Sequence, residues 1–292
     1  MSEFNLRQWF ALLRGPCLLF LLCCCTQSMA RPLVVATYAY PDIDRKAAVT
    51  PLATWLAATR QSAVTVQVAS NPNELVQWAR QGSVDLVVPN LVAYLQILQQ
   101  QQQMLDFVVP KSSPQPVSQA VYSSSLLAKQ LSDLAQLPAR LQQEQPLTVF
   151  AVWPDSASGG LIGRAELKTR LADRFSQLRF DYVGSHQAVL PALSAASEGL
   201  AIVATAALPA TLPDGITEIW RSAELPFGPL LCNSQTLPCE TLKSTLLAEP
   251  AAAAAVLQGL QQGWVEFQHS RGLAPVDATQ YQAMRALLAE QK

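Results

Sequence analysis

The chain has 292 residues, half of them hydrophobic and 14% charged, with a formal net charge of -1. That length excludes one small domain and leaves two lobes or one large α/β unit. The charge balance provides no basic field for nucleic acid, and such partners are set aside on that ground.

Arg7 and Arg14 precede an apolar stretch from Cys17 to Cys25, and Thr26-Gln27-Ser28-Met29-Ala30 leads into Arg31-Pro32. A charged start, a short apolar run and a Ser28-x-Ala30 step form the layout of a secretory signal. The run is about half the ~20 residues with which a helix crosses a bilayer. The expectation is a signal peptide over residues 1–30, a mature start near Arg31 and a periplasmic location. Cys23, Cys24 and Cys25 raise lipid attachment as a rival, against which stands the bulky Leu22 before Cys23.

Beyond the signal, short β-branched runs alternate with helical patterns: Leu33–Thr37 then Val49–Thr59, Val64–Val68 then Asn73–Arg80, Leu86–Val88 then Leu91–Gln102. This alternation predicts a largely parallel sheet covered by helices. Asn71-Pro72-Asn73 followed by Glu74 reads as a capped helix start. From Lys111 to Pro116 the composition shifts to Ser, Pro and Gln, marking a first passage between lobes, and Val117–Tyr122 reads as a strand. A second series follows: strand Leu147–Val152, helix Gly160–Phe175, strand Phe180–Val183, helix His186–Ser197, strand Leu200–Ala204. A second passage is expected over Glu218–Pro229, where Pro226, Gly228 and Pro229 punctuate the chain, then a strand at Leu230–Asn233. Helical patterns at Glu240–Leu247, Ala251–Gln262 and Thr279–Glu290 close the sequence and return it to the first lobe. The expected division is lobe 1 over residues 31–112 and 226–292 and lobe 2 over 113–225.

With the signal removed, Cys232 and Cys239 form an even pair in a chain bound for an oxidising compartment, so a disulfide is expected. Their spacing is too long for a CxxC redox pair, and no nearby histidine completes a zinc set. No metal and no cofactor are expected.

Trp153-Pro154-Asp155-Ser156-Ala157-Ser158-Gly159-Gly160 lies between a predicted strand and a predicted helix. Hydroxyls and glycines there direct N–H and O–H donors at an anion, aided by the positive end of the helix. The same residues also read as a plain helix cap by Ser156 or Ser158. The loop lacks the Gly-Lys-Ser/Thr of a phosphate-hydrolysing site and the G-x-S-x-G of a serine hydrolase, and neither His186 nor His269 is marked as a base for a serine. No signature of an enzyme stands out. Asp85 reads as a cap or turn residue, and Trp55, Trp78, Trp220 and Trp264 as core, while Trp153 borders the loop.

Four segments in order resemble the phosphate/phosphite/phosphonate-binding proteins of ABC transporters: Pro51-Leu52-x-x-Trp55-Leu56; Gln81-Gly82-Ser83-Val84-Asp85-Leu86 running into Pro89 and Ala93-Tyr94; Asp155-Ser156-Ala157-Ser158-Gly159; and Gly184-Ser185-His186. Asp277 with Tyr281 resembles the family's tail. The resemblance implies a two-lobed type 2 periplasmic-binding fold of α/β class with a discontinuous first lobe. It further implies ligand contacts from Tyr94, Ser156, Ala157, Ser158, Gly159 and His186, with Tyr38 or Tyr40 as a further wall. Two departures stand out. Ala157 replaces a frequent hydroxyl residue, and Leu200-Ala201-Ile202 follows Gly199 where an acidic residue is usual, with Glu198 the nearest substitute for holding a ligand ammonium group. The implied function is capture of a small oxyanion, phosphate, phosphite or a simple phosphonate, by a monomer serving an ABC permease. The alternative is a ligand sensor or scaffold of the same fold serving a sensor kinase or redox assembly.

Overall fold

Three strand–helix units open the fold, and each helix begins on a side chain suited to capping. In the computed structural model, which describes residues 31–111, 122–143 and 146–290, β1 (Leu33–Tyr38) leads to α1 (Arg45–Arg60), β2 (Val64–Ala69) to α2 (Pro72–Arg80) and β3 (Leu86–Val87) to α3 (Leu91–Gln100). Asp44, Asn71 and Asn90 accept the N–H groups of Ala47, Glu74 and Ala93 at 2.9, 3.0 and 2.7 Å. Each satisfies a donor that the first helical turn leaves unpaired. β4 (Met104–Asp106) and β5 (Val109–Pro110) follow.

The second series comprises β6 (Ser124–Lys129), α4 (Leu137–Arg140), β7 (Leu147–Ala151), α5 (Ile162–Leu171), β8 (Leu178–Tyr182), α6 (His186–Ala195), β9 (Gly199–Ala204) and β10 (Ile216–Arg221). The chain then adds β11 (Leu231–Asn233), α7 (Cys239–Ala248), α8 (Pro250–Gly263), β12 (Leu273–Ala274) and α9 (Gln282–Ala289). One sheet has the order β2-β1-β3-β11-β4 and the other β10-β6-β9-β7-β8, while β12 pairs with β5. β11 enters the first sheet from late in the sequence, which makes the first lobe discontinuous. The Cys232 and Cys239 sulfurs stand 2.01 Å apart, joining β11 to the start of α7.

The expectation of a largely parallel sheet needs correction. β1 is parallel to β2 and β3, and β7 to β8 and β9, but β11 is antiparallel to β3 and β4, and β6 to β9 and β10. β6 and β11 are the first strands of their sheets after each passage, so no βα crossover constrains them to run parallel. The second passage is also shorter than expected, because Ile216–Arg221 is β10, paired to β6, and the chain leaves that sheet only after Arg221. The expected strand Val117–Tyr122 and the passage at Lys111–Pro116 lie outside the described residues except for Lys111 and Tyr122, and Tyr122 is not in a strand. The signal peptide and Cys23, Cys24 and Cys25 also lie outside them.

Helix limits shift in two places that matter for the site. α1 begins four residues before the expected Val49, and the expected helix Gly160–Phe175 is a π-helical turn over Ala157–Leu161, then α5, then a 3-10 segment over Ala172–Gln177. Aliphatic side chains cover both faces of each sheet. One cluster joins Tyr38, Tyr94 and Leu95 to Ala157 and Leu161, so the first sheet and the loop after β7 share buried contacts.

Candidate functional site

The segments that follow the carboxyl ends of β1, β3, β7 and β8 line one cavity, with about 510 Å³ of empty space including its mouth. Each brings the amino end of a helix: Arg45 is the first residue of α1, Asn90 caps α3, Ser156 caps the turn leading into α5, and His186 opens α6 behind its cap Ser185. Helix amino ends carry partial positive charge and unpaired N–H groups, so four of them make this a place for an anion.

Ser156 Oγ accepts the Gly159 N–H at 3.2 Å, so it does cap the helix; that bond uses a lone pair and leaves its O–H as a donor. Ser158 is 2% exposed, its carbonyl accepts from Ser124 Oγ at 2.8 Å, and its hydroxyl faces the Tyr122 phenol. Ala157 also lines the cavity. Gly159 does not, but a Cβ there would stand 2.7 Å from His186 Cε1 and 2.4 Å from Val152 Cγ2, so glycine is what lets the imidazole approach the loop.

His186 is buried, its N–H donates to Tyr40 Oη at 2.8 Å, and its Nδ1 accepts from the Ala204 N–H at 3.1 Å. Burial, and Arg45 beside it, push its pKa down to about 4. The ring is therefore neutral near pH 7 with its proton on Nε2, a donor for an oxyanion.

Two charged residues that the sequence reading passed over complete the site. Arg45 is 4% exposed, and its guanidinium carbon lies 3.9, 4.4 and 5.0 Å from the ring centres of Trp264, Tyr38 and Tyr40. Its Nε and Nη1 find no hydrogen-bond partner. Glu266, half-buried on the cavity wall, has its carboxyl pushed up by burial, with Arg45 pulling it down. The signal that could have found Arg45 is Asp44, a capping residue shortly after a strand, which puts the next side chain at a helix amino end.

Of the residues named from the sequence, Tyr38, Ser156, Ala157, Ser158 and His186 meet at the cavity, as do Tyr40 and Trp153, whose rings touch edge to face with centres 5.7 Å apart. Tyr94 is not among the lining residues. Its hydroxyl donates to Asp106 at 2.9 Å and its ring packs on Tyr281, because it points into the layer between α3 and the carboxyl-terminal turn. Glu198 pairs through both oxygens with Arg140. Leu200–Ile202 are buried in β9 and bring no carboxylate. Among the described residues no group of three or more His, Cys, Asp or Glu is placed to hold a metal ion, and no helix is long and apolar enough to cross a membrane.

Two α/β sheets linked by two passages, with a donor-lined cavity at strand carboxyl ends, define a binding protein of the type 2 periplasmic fold. The profile of the family described as "ABC transporter, phosphonate, periplasmic substrate-binding protein" matches residues 35–281, and the chain belongs to that family. Its role is accordingly substrate binding in a transport system. Solved structures agree on the fold. XAC2383 from Xanthomonas citri bound to chloride superposes with a TM-score of 0.69 at 17% identity, covering 88% of this chain and 97% of its own. PhnD1 from Prochlorococcus marinus in complex with methylphosphonate gives 0.66 at 14%, covering 89% and 99%. A binding protein component of the ABC phosphonate transporter from Pseudomonas aeruginosa gives 0.63 at 18%, covering 90% and 87%. No curated protein sequence matches the chain.

Proposed function

We propose that this protein is exported to the periplasm, captures a small phosphorus oxyanion (a simple phosphonate, phosphate or phosphite) between two lobes, and delivers it to an ABC permease. The carrying observation is the convergence of four helix amino ends on one cavity with the hydroxyls of Ser156 and Ser158 and the imidazole of His186. Such donors suit a tetrahedral oxyanion without covalent chemistry. The methylphosphonate bound by PhnD1 supports the ligand class. The lobes would be residues 31–112 with 226–292, and 113–225, so that the cavity lies between them.

Protein recovered from a periplasmic fraction, with its amino terminus read by mass spectrometry, should begin near Arg31. In a thermal-shift series with methylphosphonate, phosphate, phosphite and sulfate, one phosphorus oxyanion should raise the melting midpoint. Ligand at 100 times its dissociation constant adds about 2.7 kcal/mol of stability. No shift with any phosphorus oxyanion would overturn the ligand class.

A further inference from the structure

Arg45 is an unfavourable residue where it stands. It is buried at the first turn of α1, where the positive end of the helix opposes a cation. Among the described residues no carboxylate lies within ion-pair distance of it, and Nε and Nη1 have no acceptor. Buried, unpaired guanidinium N–H groups destabilise a fold unless something else satisfies them. What surrounds Arg45 is aromatic: its guanidinium carbon lies over the rings of Trp264 at 3.9 Å, Tyr38 at 4.4 Å and Tyr40 at 5.0 Å, and the Tyr38 hydroxyl is a hydrogen-bonding neighbour. That environment leaves Nε and Nη1 without an acceptor, two donors suited to a planar or tetrahedral oxyanion. Arg45 lines the same cavity as Ser156, Ser158 and His186.

We infer that Arg45 is the ligand's counter-charge and the residue by which the cavity selects an oxyanion that carries no ammonium group. The inference rests on the oxyanion reading above and narrows it. Aromatic walls that could attract a ligand cation already hold the protein's own. Glu198, which precedes β9 in sequence, is locked to Arg140, and Leu200–Ile202 are apolar. Glu266 is the one carboxyl among the lining residues, and it sits in the field of Arg45. An aminoalkylphosphonate would bring its ammonium group against a fixed guanidinium and four helix amino ends.

The test is calorimetric titration of the whole protein with methylphosphonate and with aminoethylphosphonate. Wild type should prefer methylphosphonate by at least about tenfold, the scale of one charge-assisted contact. Arg45→Met should lose at least about tenfold in methylphosphonate affinity and most of that preference, while Arg45→Lys, which keeps charge but not the planar fork, should fall between. Glu266→Gln leaves the guanidinium in place and removes the one carboxyl among the lining residues, so it should bind methylphosphonate more tightly and widen the preference. Equal methylphosphonate affinity of wild type and folded Arg45→Met overturns the inference, as does equal binding of both ligands by wild type. If Arg45→Met fails to fold, a Glu266→Gln preference that is unchanged or narrowed overturns it. Wild type that binds no phosphorus oxyanion at all removes the proposed function instead.

Discussion

At the residue scale, His186 ties stability to pH. Its pKa, 6.5 when exposed, is pushed down to about 4 mainly by burial. Between those values the unfolded chain binds a proton there and the folded chain does not. The contribution is therefore complete above about pH 6.5 and is lost as pH falls toward 4, a total of about 3 kcal/mol. Glu266 and Asp155, both raised by burial, act in the opposite direction, so the difference between wild type and a variant is the useful quantity. His186→Asn can keep the acceptor for the Ala204 N–H but does not titrate. Melting midpoints across pH 4 to 7 should fall more steeply for wild type than for His186→Asn, and parallel curves would show that His186 is not the titrating group. His186 was named from the sequence through the resemblance of Gly184-Ser185-His186 to the phosphonate-binding family, since a histidine at a capped helix start would by itself read as a surface residue. Arg45 was not, because a charged residue beside Asp44 in a polar stretch reads as solvent-facing, and its aromatic neighbour Trp264 is contributed from far along the chain.

At the element scale, the π-helical turn over Ala157–Leu161 sets where the donors of the loop stand. A Cβ on Gly160 would lie 2.0 Å from the carbonyl oxygen of Trp153, and since that atom is backbone the loop must move to admit it. Gly160→Ala should destabilise the protein by about 1–3 kcal/mol and weaken oxyanion binding, because Ser156 and Ser158 shift with the turn. Thermal melting together with titration measures both, and an unchanged melting midpoint would show that the turn relaxes freely. The sequence disclosed this loop by its small residues, but a wider helical turn has no compositional mark, so the helix was expected to run on from Gly160. β6 was missed for a related reason. Its sequence Ser-Ser-Leu-Leu-Ala-Lys has little of the β-branched and aromatic content by which strands are read. Tertiary contacts override that: Ser124 donates to the Ser158 carbonyl and Ser125 to Glu218 on β10, so polar side chains are satisfied in a buried interior strand.

At the scale of the whole molecule, the alternation of strands and helices was legible and gave the α/β class, whereas the antiparallel strands depend on connections that carry no periodic signal. The contacts between the two sheet-centred halves carry the last consequence. Tyr40, after β1, accepts the N–H of His186 at 2.8 Å, and Asn90, at the start of α3, donates to the Asp155 carbonyl at 3.2 Å. On the proposed division into two lobes that close by hinge motion around a ligand, contacts made across the cavity belong to the closed form. A contact of that kind shifts the closed population by its own free energy and leaves the open form unaffected. Tyr40→Phe keeps the ring that meets Trp153 and Arg45 and removes only the acceptor for His186. Loss of about 1 kcal/mol from the closed form should weaken ligand binding about fivefold. Because encounter occurs on the open form, the change should appear in the dissociation rate, with association nearly unaltered. Stopped-flow measurement of both rates separates the cases: an unchanged dissociation rate would mean that the Tyr40–His186 bond is kept in the open form and latches nothing, while slower association would place Tyr40 on the ligand's path into the cavity.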